Sequence, residues 1–376
     1  MTTLATPVEP PPTAFGSGWI SGVLSVVCGA MGLGGVFCLL YPSWLTVADA
    51  RALYPLPYIR ALIHLFLVAA FVLGVISLCL RRRKTLGTIG VALTLSAALL
   101  GGSRVPLDGD VGSGPYLGLD WFLLNLLFFS IVFVPLERLF AHRPGQAVFR
   151  QGWRTDLVYF CVSSLLVQVT TLLTLKPAMV LFDWAAWPPL QARVAALPFP
   201  LQLLAVLFVS DFVQYWVHRT FHAVPWLWRF HAIHHSVETM DWLAGSRLHL
   251  VDAVVTRALA FVPLYVLGFG DAAIFTYVAL VSLHATFIHA NVRFEFGPLA
   301  WVLATPRFHH WHHGAEREAI DRNFAVHLPI IDVIFGTAHL PRGRWPASYG
   351  LSNETVPDGY VRQLIEPFRS RPGHED

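Results

Sequence analysis

Histidines crowd one part of this chain, where twelve of its 17 lie between residues 218 and 313. Most of them fall into three short clusters, at residues 218–222, 231–235 and 309–313. Imidazole is neutral near pH 7, offers a ring nitrogen as a ligand, and suits iron, zinc or copper. The five histidines outside this region show no such spacing; they are His64, His142, His327, His339 and His374. The concentration therefore predicts a metal site.

The spacing within the clusters is typical of ligands on a helix. Residues three or four positions apart share one face of a helix, and His218 and His222 are four apart. The other cluster members with this spacing are His231, His234, His235, His309, His312 and His313. Since one zinc ion takes about four ligands, these candidates are numerous enough for two metals.

Further histidines lie between and beside the clusters. His249 and His289 can complete the ligand set. His284 is five residues before His289 and fits a shared helical face poorly, and His310 lies on the other side of its cluster. Whether His284 and His310 are ligands stays open.

Polar side chains near the clusters are candidates for positioning the ligands. Asp211 lies seven residues before His218, with Tyr215 on the same helical stripe. A carboxylate there can accept the second ring N–H of a ligating histidine and fix its tautomer, or it can simply hydrogen-bond within the bundle. Because an acidic group in a membrane span is costly, we predict a functional role for Asp211. We predict catalytic roles for Asp211, Tyr215 and Asn291. Weaker candidates are Asp241, Asp252, Asn323 and Asp332.

The composition indicates a membrane protein. Hydrophobic residues make up 55% of the chain and charged residues only 13%, whereas a soluble domain carries about 25% charged residues. A formal net charge of +3 does not suggest a nucleic-acid-binding protein. We expect an all-α, polytopic membrane helical bundle with a histidine-rich di-metal cap.

Apolar stretches long enough to cross a bilayer set the predicted topology. They lie at about 19–41, 58–80, 85–102, 120–139, 155–182 and 198–217, with a hairpin at 253–290 broken near Gly268. Basic residues cluster after the second and fourth stretches, as in Arg81–Arg83 and Arg150. Because cytoplasmic loops carry the excess of Lys and Arg, we expect an internal N-terminus and a cytoplasmic histidine cap, in a bacterial inner membrane.

Four segments are expected along the chain. Residues 1–18 contain no Lys or Arg and several prolines, so we expect a mobile tail and no signal peptide. Residues 19–115 form an N-terminal transmembrane region, 116–345 the catalytic domain, and 346–376 a charged cytoplasmic tail.

At these residues the sequence resembles the fatty acid hydroxylase and sterol desaturase superfamily of membrane di-iron enzymes. The similarity runs through residues 211–222, 231–236, 241–242, 247–249 and 289–291, and through 305–313, 322–324 and 335–337. It departs from the family pattern at Leu250, where proline is usual, and at Ile331, where tryptophan is common. It covers about residues 120–345 and leaves the first 115 unexplained.

The resemblance implies two iron ions, O2 as co-substrate and electrons from a separate donor of the ferredoxin or cytochrome b5 type. The implied activity is hydroxylation or desaturation of a lipid C–H bond. The implied ligands are His218, His222, His231, His234, His235, His249, His289, His309, His312 and His313. Two alternatives remain: a zinc-dependent membrane hydrolase, although the chain has no His-Glu-x-x-His motif, and a non-enzymatic protein that binds metal or haem.

Overall fold

The computed structural model describes residues 16–47, 51, 55–107, 115–294, 296–352 and 354–369. Within these ranges the secondary structure is helical, and the only extended pairing is two isolated β-bridges. The predicted all-α fold class is therefore confirmed. Most of the predicted tail at 1–18 lies outside the described residues, as do His374 and the end of the predicted tail at 346–376.

The chain divides into two compact units, Met1–Leu127 and Phe128–Asp376. The division falls inside a helix, α5, which runs from Leu119 to Leu139. All the predicted ligands lie in the second unit. The predicted segment boundaries after residues 18, 115 and 345 stay predictions.

The first unit is built on three long apolar helices. Its helices before α5 are α1 (Trp19–Leu40), α2 (Pro42–Leu45), α3 (Leu56–Leu80) and α4 (Thr85–Leu99). Helix α1 packs against α3 and α4, and the Ser25 hydroxyl donates to the Ala70 carbonyl at 2.6 Å. A Cβ atom at Gly90 would lie only 1.8 Å from the Ser25 Oγ. Small residues therefore allow the close helix contacts that are common in membranes.

The second unit contains the remaining helices. They are α6 (Trp153–Leu165), α7 (Val167–Phe182), α8 (Pro188–Ala195), α9 (Phe199–Ala223), α10 (Pro225–His235), α11 (Leu250–Leu267), α12 (Asp271–His289), α13 (Pro306–His312), α14 (Pro329–Phe335) and α15 (Tyr360–Ile365). Helix α9 packs against α10, α11 and α12, and α11 packs against α7. Buried Val206, Leu264 and Tyr277 form part of the apolar core of this bundle.

Seven helices are long and apolar enough to cross a membrane. They are Trp19–Leu40, Leu56–Leu80, Thr85–Arg104, Leu119–Leu139, Phe199–Ala223, Leu250–Leu267 and Asp271–His289, and the pair Trp153–Leu165 and Val167–Ala185 qualifies as an eighth span bent by 62°. The described residues thus form a multi-pass membrane protein, as predicted.

Two spans differ in detail from the sequence prediction. The stretch at 155–182 is not one straight helix, because it bends between Leu165 and Val167. The stretch predicted to end near Val217 continues as a helix to Ala223, since polar His218 and His222 extend the same helical face beyond the apolar residues. The first two ligand candidates therefore lie in the last two turns of α9.

Candidate metal centre

Helices α9 and α10 meet at a one-residue turn. Helix α9 ends at Ala223, Val224 is extended, and Pro225 occupies the first turn of α10, where its missing N–H costs nothing. Phe221 and Phe230 are buried in the apolar contact between the two helices. This contact brings together two histidines of α9 and three of α10, namely His218, His222, His231, His234 and His235.

The other four ligand candidates come from α12 and α13, which pack against each other. His289 is the last residue of α12. Thr305 caps α13, because its Oγ1 accepts the Phe308 N–H at 3.2 Å. This short helix then presents His309, His312 and His313 toward α10 and α12.

The nine histidines divide into two groups. Within each group, one ring nitrogen per residue lies within 4.8 Å of every other. The first group has five members, His218, His222, His231, His235 and His312. The second has four, His234, His289, His309 and His313. The adjacent pairs His234–His235 and His312–His313 therefore each contribute one histidine to each group, because neighbouring residues on a helix point to different sides.

The hydrogen bonds of the first group point nitrogen lone pairs inward. The Nδ1 atom of His218 donates to the Phe324 carbonyl at 2.7 Å, and the Nδ1 atom of His231 donates to the Asp252 carboxylate at 2.6 Å. In a neutral imidazole the other nitrogen is then an acceptor. The two Nε2 atoms nevertheless lie 2.9 Å apart. Facing lone pairs at this distance repel each other unless a cation binds both.

The second group repeats this arrangement. The Nδ1 atoms of His234 and His289 donate to the carbonyls of Arg247, at 2.9 Å, and Ala285, at 2.6 Å. Their Nε2 atoms are 3.3 Å apart, and the His309 Nε2 lies 3.0 Å from that of His289. A buried set of imidazole acceptors with no proton to share fits iron, zinc or copper.

Other ring nitrogens of the site have no hydrogen-bond partner despite being buried. They are the Nε2 atoms of His222, His235 and His312 and the Nδ1 atoms of His309 and His313. Such atoms are costly to bury unless something binds them. The Nδ1 atom of His312 donates to the Arg322 carbonyl at 2.8 Å. The Nε2 atom of the same neutral ring is therefore an acceptor that is free to bind a metal.

Burial keeps these rings neutral. Desolvation lowers the pKa of His234 to about 4, and it also lowers the pKa of His231 and His235. The same cause lowers the pKa of His309, His312 and His313. Neutral imidazole is the form that binds a metal, so the site is in a ligating state at pH 7.

The structure does not bring the tenth predicted ligand, His249, to either group. Its Nδ1 atom accepts the Val251 N–H at 3.1 Å and caps helix α11. Its Nε2 atom contacts the Leu364 carbonyl at 3.1 Å. Both ring nitrogens are therefore used in local structure, and the structure brings together only the other nine of the ten predicted ligands.

The three predicted catalytic side chains also have structural partners away from the histidine groups. The Asp211 carboxylate accepts three backbone N–H bonds, from residues 326, 327 and 328, at 2.7–3.1 Å. The Tyr215 hydroxyl contacts Thr337 and Arg219. The Asn291 side chain pairs with the backbone of Arg143. The predicted hydrogen bond from Asp211 to a ligating histidine is thus replaced by bonds to a loop.

That loop connects two acidic residues to a ligand. Asp332 accepts the N–H groups of Phe324 and Ala325, both at 2.8 Å, while Asp211 holds the next three residues. The Phe324 carbonyl, fixed between them, accepts the His218 Nδ1–H. Burial raises the pKa of Asp332 to about 6. Asp211 and Asp332 therefore position His218 through the backbone.

A buried ion network supports His234, and the sequence indicates only one of its members, Asp241, as a candidate. Arg150 pairs with Asp156 at 2.6 Å and with Asp241 at 2.7 Å. Asp156 also pairs with Arg247 at 2.5 Å, and the Arg247 carbonyl accepts the His234 Nδ1–H. The sequence feature that could have revealed this network is Asp156, because a carboxylate inside a predicted membrane span is rare without a function.

The remaining histidines lie outside both groups. His284 contacts His327, with their Nδ1 atoms 2.8 Å apart, and also the Ala304 carbonyl. His310 contacts the Tyr349 hydroxyl at 2.9 Å and the His289 carbonyl. His142 stacks on Trp345. The two histidines left open by the sequence are thus not among the nine.

Comparison with known proteins agrees with this site. Residues 203–337 match the family model described as fatty acid hydroxylase. The chain is 34% identical over 180 residues to an ornithine lipid hydroxylase from Rhizobium tropici, which covers 48% of this chain and 54% of the relative. It is 35% identical over 134 residues to the alkylglycerol monooxygenase of Homo sapiens, covering 34% of this chain and 28% of the relative.

A methylsterol monooxygenase of Arabidopsis thaliana is 23% identical over 238 residues, covering 58% of this chain and 78% of the relative. No solved structure matches the chain. The chain spans about half the length of the ornithine lipid hydroxylase and about a quarter of the human alkylglycerol monooxygenase. All nine histidines of the two groups, from His218 to His313, lie within the matched residues 203–337.

Proposed function

We propose that this chain belongs to the fatty acid hydroxylase and sterol desaturase superfamily and is a membrane-bound di-iron oxidoreductase. It hydroxylates a lipid C–H bond, using O2 and externally supplied electrons. One observation carries the proposal: two adjacent, buried groups of imidazoles turn their acceptor nitrogens inward. Nine ligands in two groups exceed what a single zinc ion takes, which is about four.

The chemistry of the substrate favours a redox metal. A saturated C–H bond has no acidic proton and no leaving group, so acid–base side chains alone cannot attack it. Iron, when bound, supplies the activation of O2 that this bond requires. The names of the relatives, which are hydroxylases and monooxygenases of lipids, favour hydroxylation over desaturation here.

The residues of the chain prepare the site for this reaction. The carbonyls of Phe324, Arg247 and Arg322 and the Asp252 carboxylate hold ligating rings in one orientation and one tautomer. Burial of the histidines excludes water, which protects a reactive centre from side reactions. Because His218 and His222 end a membrane span, a lipid can meet the site at the bilayer surface.

The orientation and the electron donor are part of the same proposal. Basic residues after the second and fourth spans support a cytoplasmic site in a bacterial inner membrane, on the side where reductants are available. We infer a separate ferredoxin or cytochrome b5 type donor. Exposed arginines of the second unit, such as Arg317 and Arg342, offer such an acidic partner a docking surface.

Oxygen-isotope incorporation tests the proposal. Membranes of cells that express the chain, and of cells that express the His234→Ala variant, are supplied with 18O2 and their lipids are analysed by mass spectrometry. We expect a lipid that gains one 18O atom only with the unaltered chain. A lipid that loses two hydrogens without label indicates desaturation, and a cleaved lipid without label indicates a hydrolase; either result contradicts the proposal.

A further inference from the structure

Two short elements beyond the last span expose an apolar surface. One is the 3-10 segment Gly297–Trp301 with the residues that follow it, and the other is helix α14. These elements pack against each other. Their exposed side chains are Leu299, Trp301, Val302, Leu303, Ile330, Val333 and Ile334. We call this surface the apolar lip.

Helix α14 is apolar on both sides. Its inner side buries Ile331 in the protein core, yet Val333 and Ile334 on the outer side are 46% and 64% exposed. Its one charged residue, Asp332, is buried and bonded to backbone N–H groups. A helix that is hydrophobic all round belongs in an apolar environment on every side, and the described protein covers only one.

The contacts of α14 with the membrane-spanning helix α9 indicate that the exposed side of α14 faces lipid. Phe335 packs on Tyr215 and Trp216 of α9, with ring centroids 5.2 and 4.9 Å apart. Trp216 lies next to Val217, where the apolar part of α9 ends, and three residues, about 4.5 Å, before Arg219. The lip is therefore beside a helix that is itself inside the bilayer.

Two arginines border the lip. The Arg322 guanidinium donates to the Gly336 carbonyl at the end of α14, and the Arg219 guanidinium lies over the Trp216 ring and donates to Tyr215. Arginine at the border of an apolar surface is typical of the interface between lipid tails and headgroups.

From these contacts we propose that the apolar lip is inserted into the lipid bilayer. The C-terminal part of the chain is then not only a cap above the membrane, because residues 297–303 and 330–334 dip into the same leaflet that α9 leaves. The exposed apolar side chains contact lipid tails, and Arg219 and Arg322 mark the level of the headgroups. The proposal rests on the membrane spans and is independent of the metal and of the reaction.

Spin labels measure this insertion directly. The four native cysteines, Cys28, Cys38, Cys79 and Cys161, are replaced by alanine in the full-length chain. Single cysteines are then introduced by Val302→Cys, Val333→Cys and Ile334→Cys, all at exposed side chains. The control is Arg342→Cys, at an exposed polar position of the same unit. Each chain carries a nitroxide label and is reconstituted in vesicles of phosphatidylcholine and phosphatidylglycerol.

The readout is the collision rate of each label with O2, which concentrates in lipid, and with a water-soluble nickel chelate. We expect O2 to dominate at positions 302, 333 and 334 and nickel to dominate at position 342. Nickel access at the three lip positions equal to that at 342 would overturn the proposal, since the lip would lie in water. Low access to both reagents would also overturn it, because a second copy or another protein would then cover the lip.

Discussion

The Nδ1 atom of His231 lies 2.6 Å from a carboxylate oxygen of Asp252, while the Nε2 atom of the same ring faces the Nε2 of His218 at 2.9 Å. The carboxylate fixes the tautomer of the ring and makes Nε2 a better ligand. Asp252 thus acts on the five-histidine group without belonging to it.

Replacing this carboxylate should weaken metal binding without unfolding the chain. We expect Asp252→Asn to lower the metal affinity of the five-histidine group by about 10- to 100-fold, the usual cost of losing such a partner. Titration of the purified chain with a competing chelator measures this affinity. Asp271→Asn, which changes an exposed acidic residue on the neighbouring α12, is the control; equal affinities for the two variants would refute the role of Asp252.

His249 should behave as a helix cap and not as a ligand. Because its Nδ1 accepts the Val251 N–H, we expect His249→Ala to lower the free energy of unfolding by about 0.5–2 kcal/mol and to retain the full metal content. Thermal unfolding and metal analysis of the same sample test both parts. Loss of a metal ion from a folded His249→Ala chain would restore His249 to the ligand set.

The buried ion network should matter more for stability than an exposed pair does. Asp156→Asn leaves the guanidinium groups of Arg150 and Arg247 without their shared partner. Breaking a buried pair costs about 3–5 kcal/mol. The control is Glu318→Gln, which removes an exposed partner of Arg344 and should cost about 1 kcal/mol or less. Similar denaturation midpoints for the two variants would show that the network contributes little.

The hydrogen bonds of Asp211 to residues 326–328 should stabilise the folded chain, as well as fixing the loop whose Phe324 carbonyl orients His218. Asp211→Ala leaves three N–H groups, one buried and two partly buried, without an acceptor, and a fully buried group of this kind costs about 1–3 kcal/mol. We therefore expect Asp211→Ala to be strongly destabilised, and Asp211→Asn, which keeps an acceptor oxygen, to be milder. Denaturation of both variants in the same detergent compares them. If both variants were as stable as the unaltered chain, the hydrogen bonds from Asp211 to the loop would not be needed to fix the Phe324 carbonyl.

Much of this architecture is predictable from local sequence, and the exceptions have a common cause. Apolar length gives the spans, and three- and four-residue spacings give the helical faces of His218 with His222 and of His231 with His235. His249 is also a histidine close to the clusters in sequence, yet it lies where α11 begins and caps that helix. Its distance from the other histidines depends on tertiary packing, which spacing along the chain does not encode.

The division into five and four histidines also depends on tertiary structure. The sequence predicts enough ligands for two metals, but not that neighbouring His234 and His235 belong to different groups. Likewise, Asp211 is a reasonable partner for a histidine by helical spacing, but its oxygens are taken by backbone N–H groups from 115 to 117 positions further along the chain. Such long-range partners become visible only in the folded protein.

Metal analysis of the purified full-length chain tests the central claim most directly. We predict two iron ions per unaltered chain, and one ion after either His312→Ala, in the five-histidine group, or His313→Ala, in the four-histidine group. His142→Ala, which removes a ring stacked on Trp345, should retain both. A single metal ion in the unaltered chain, or loss of both ions from each folded single variant, would contradict a centre built from two separate groups.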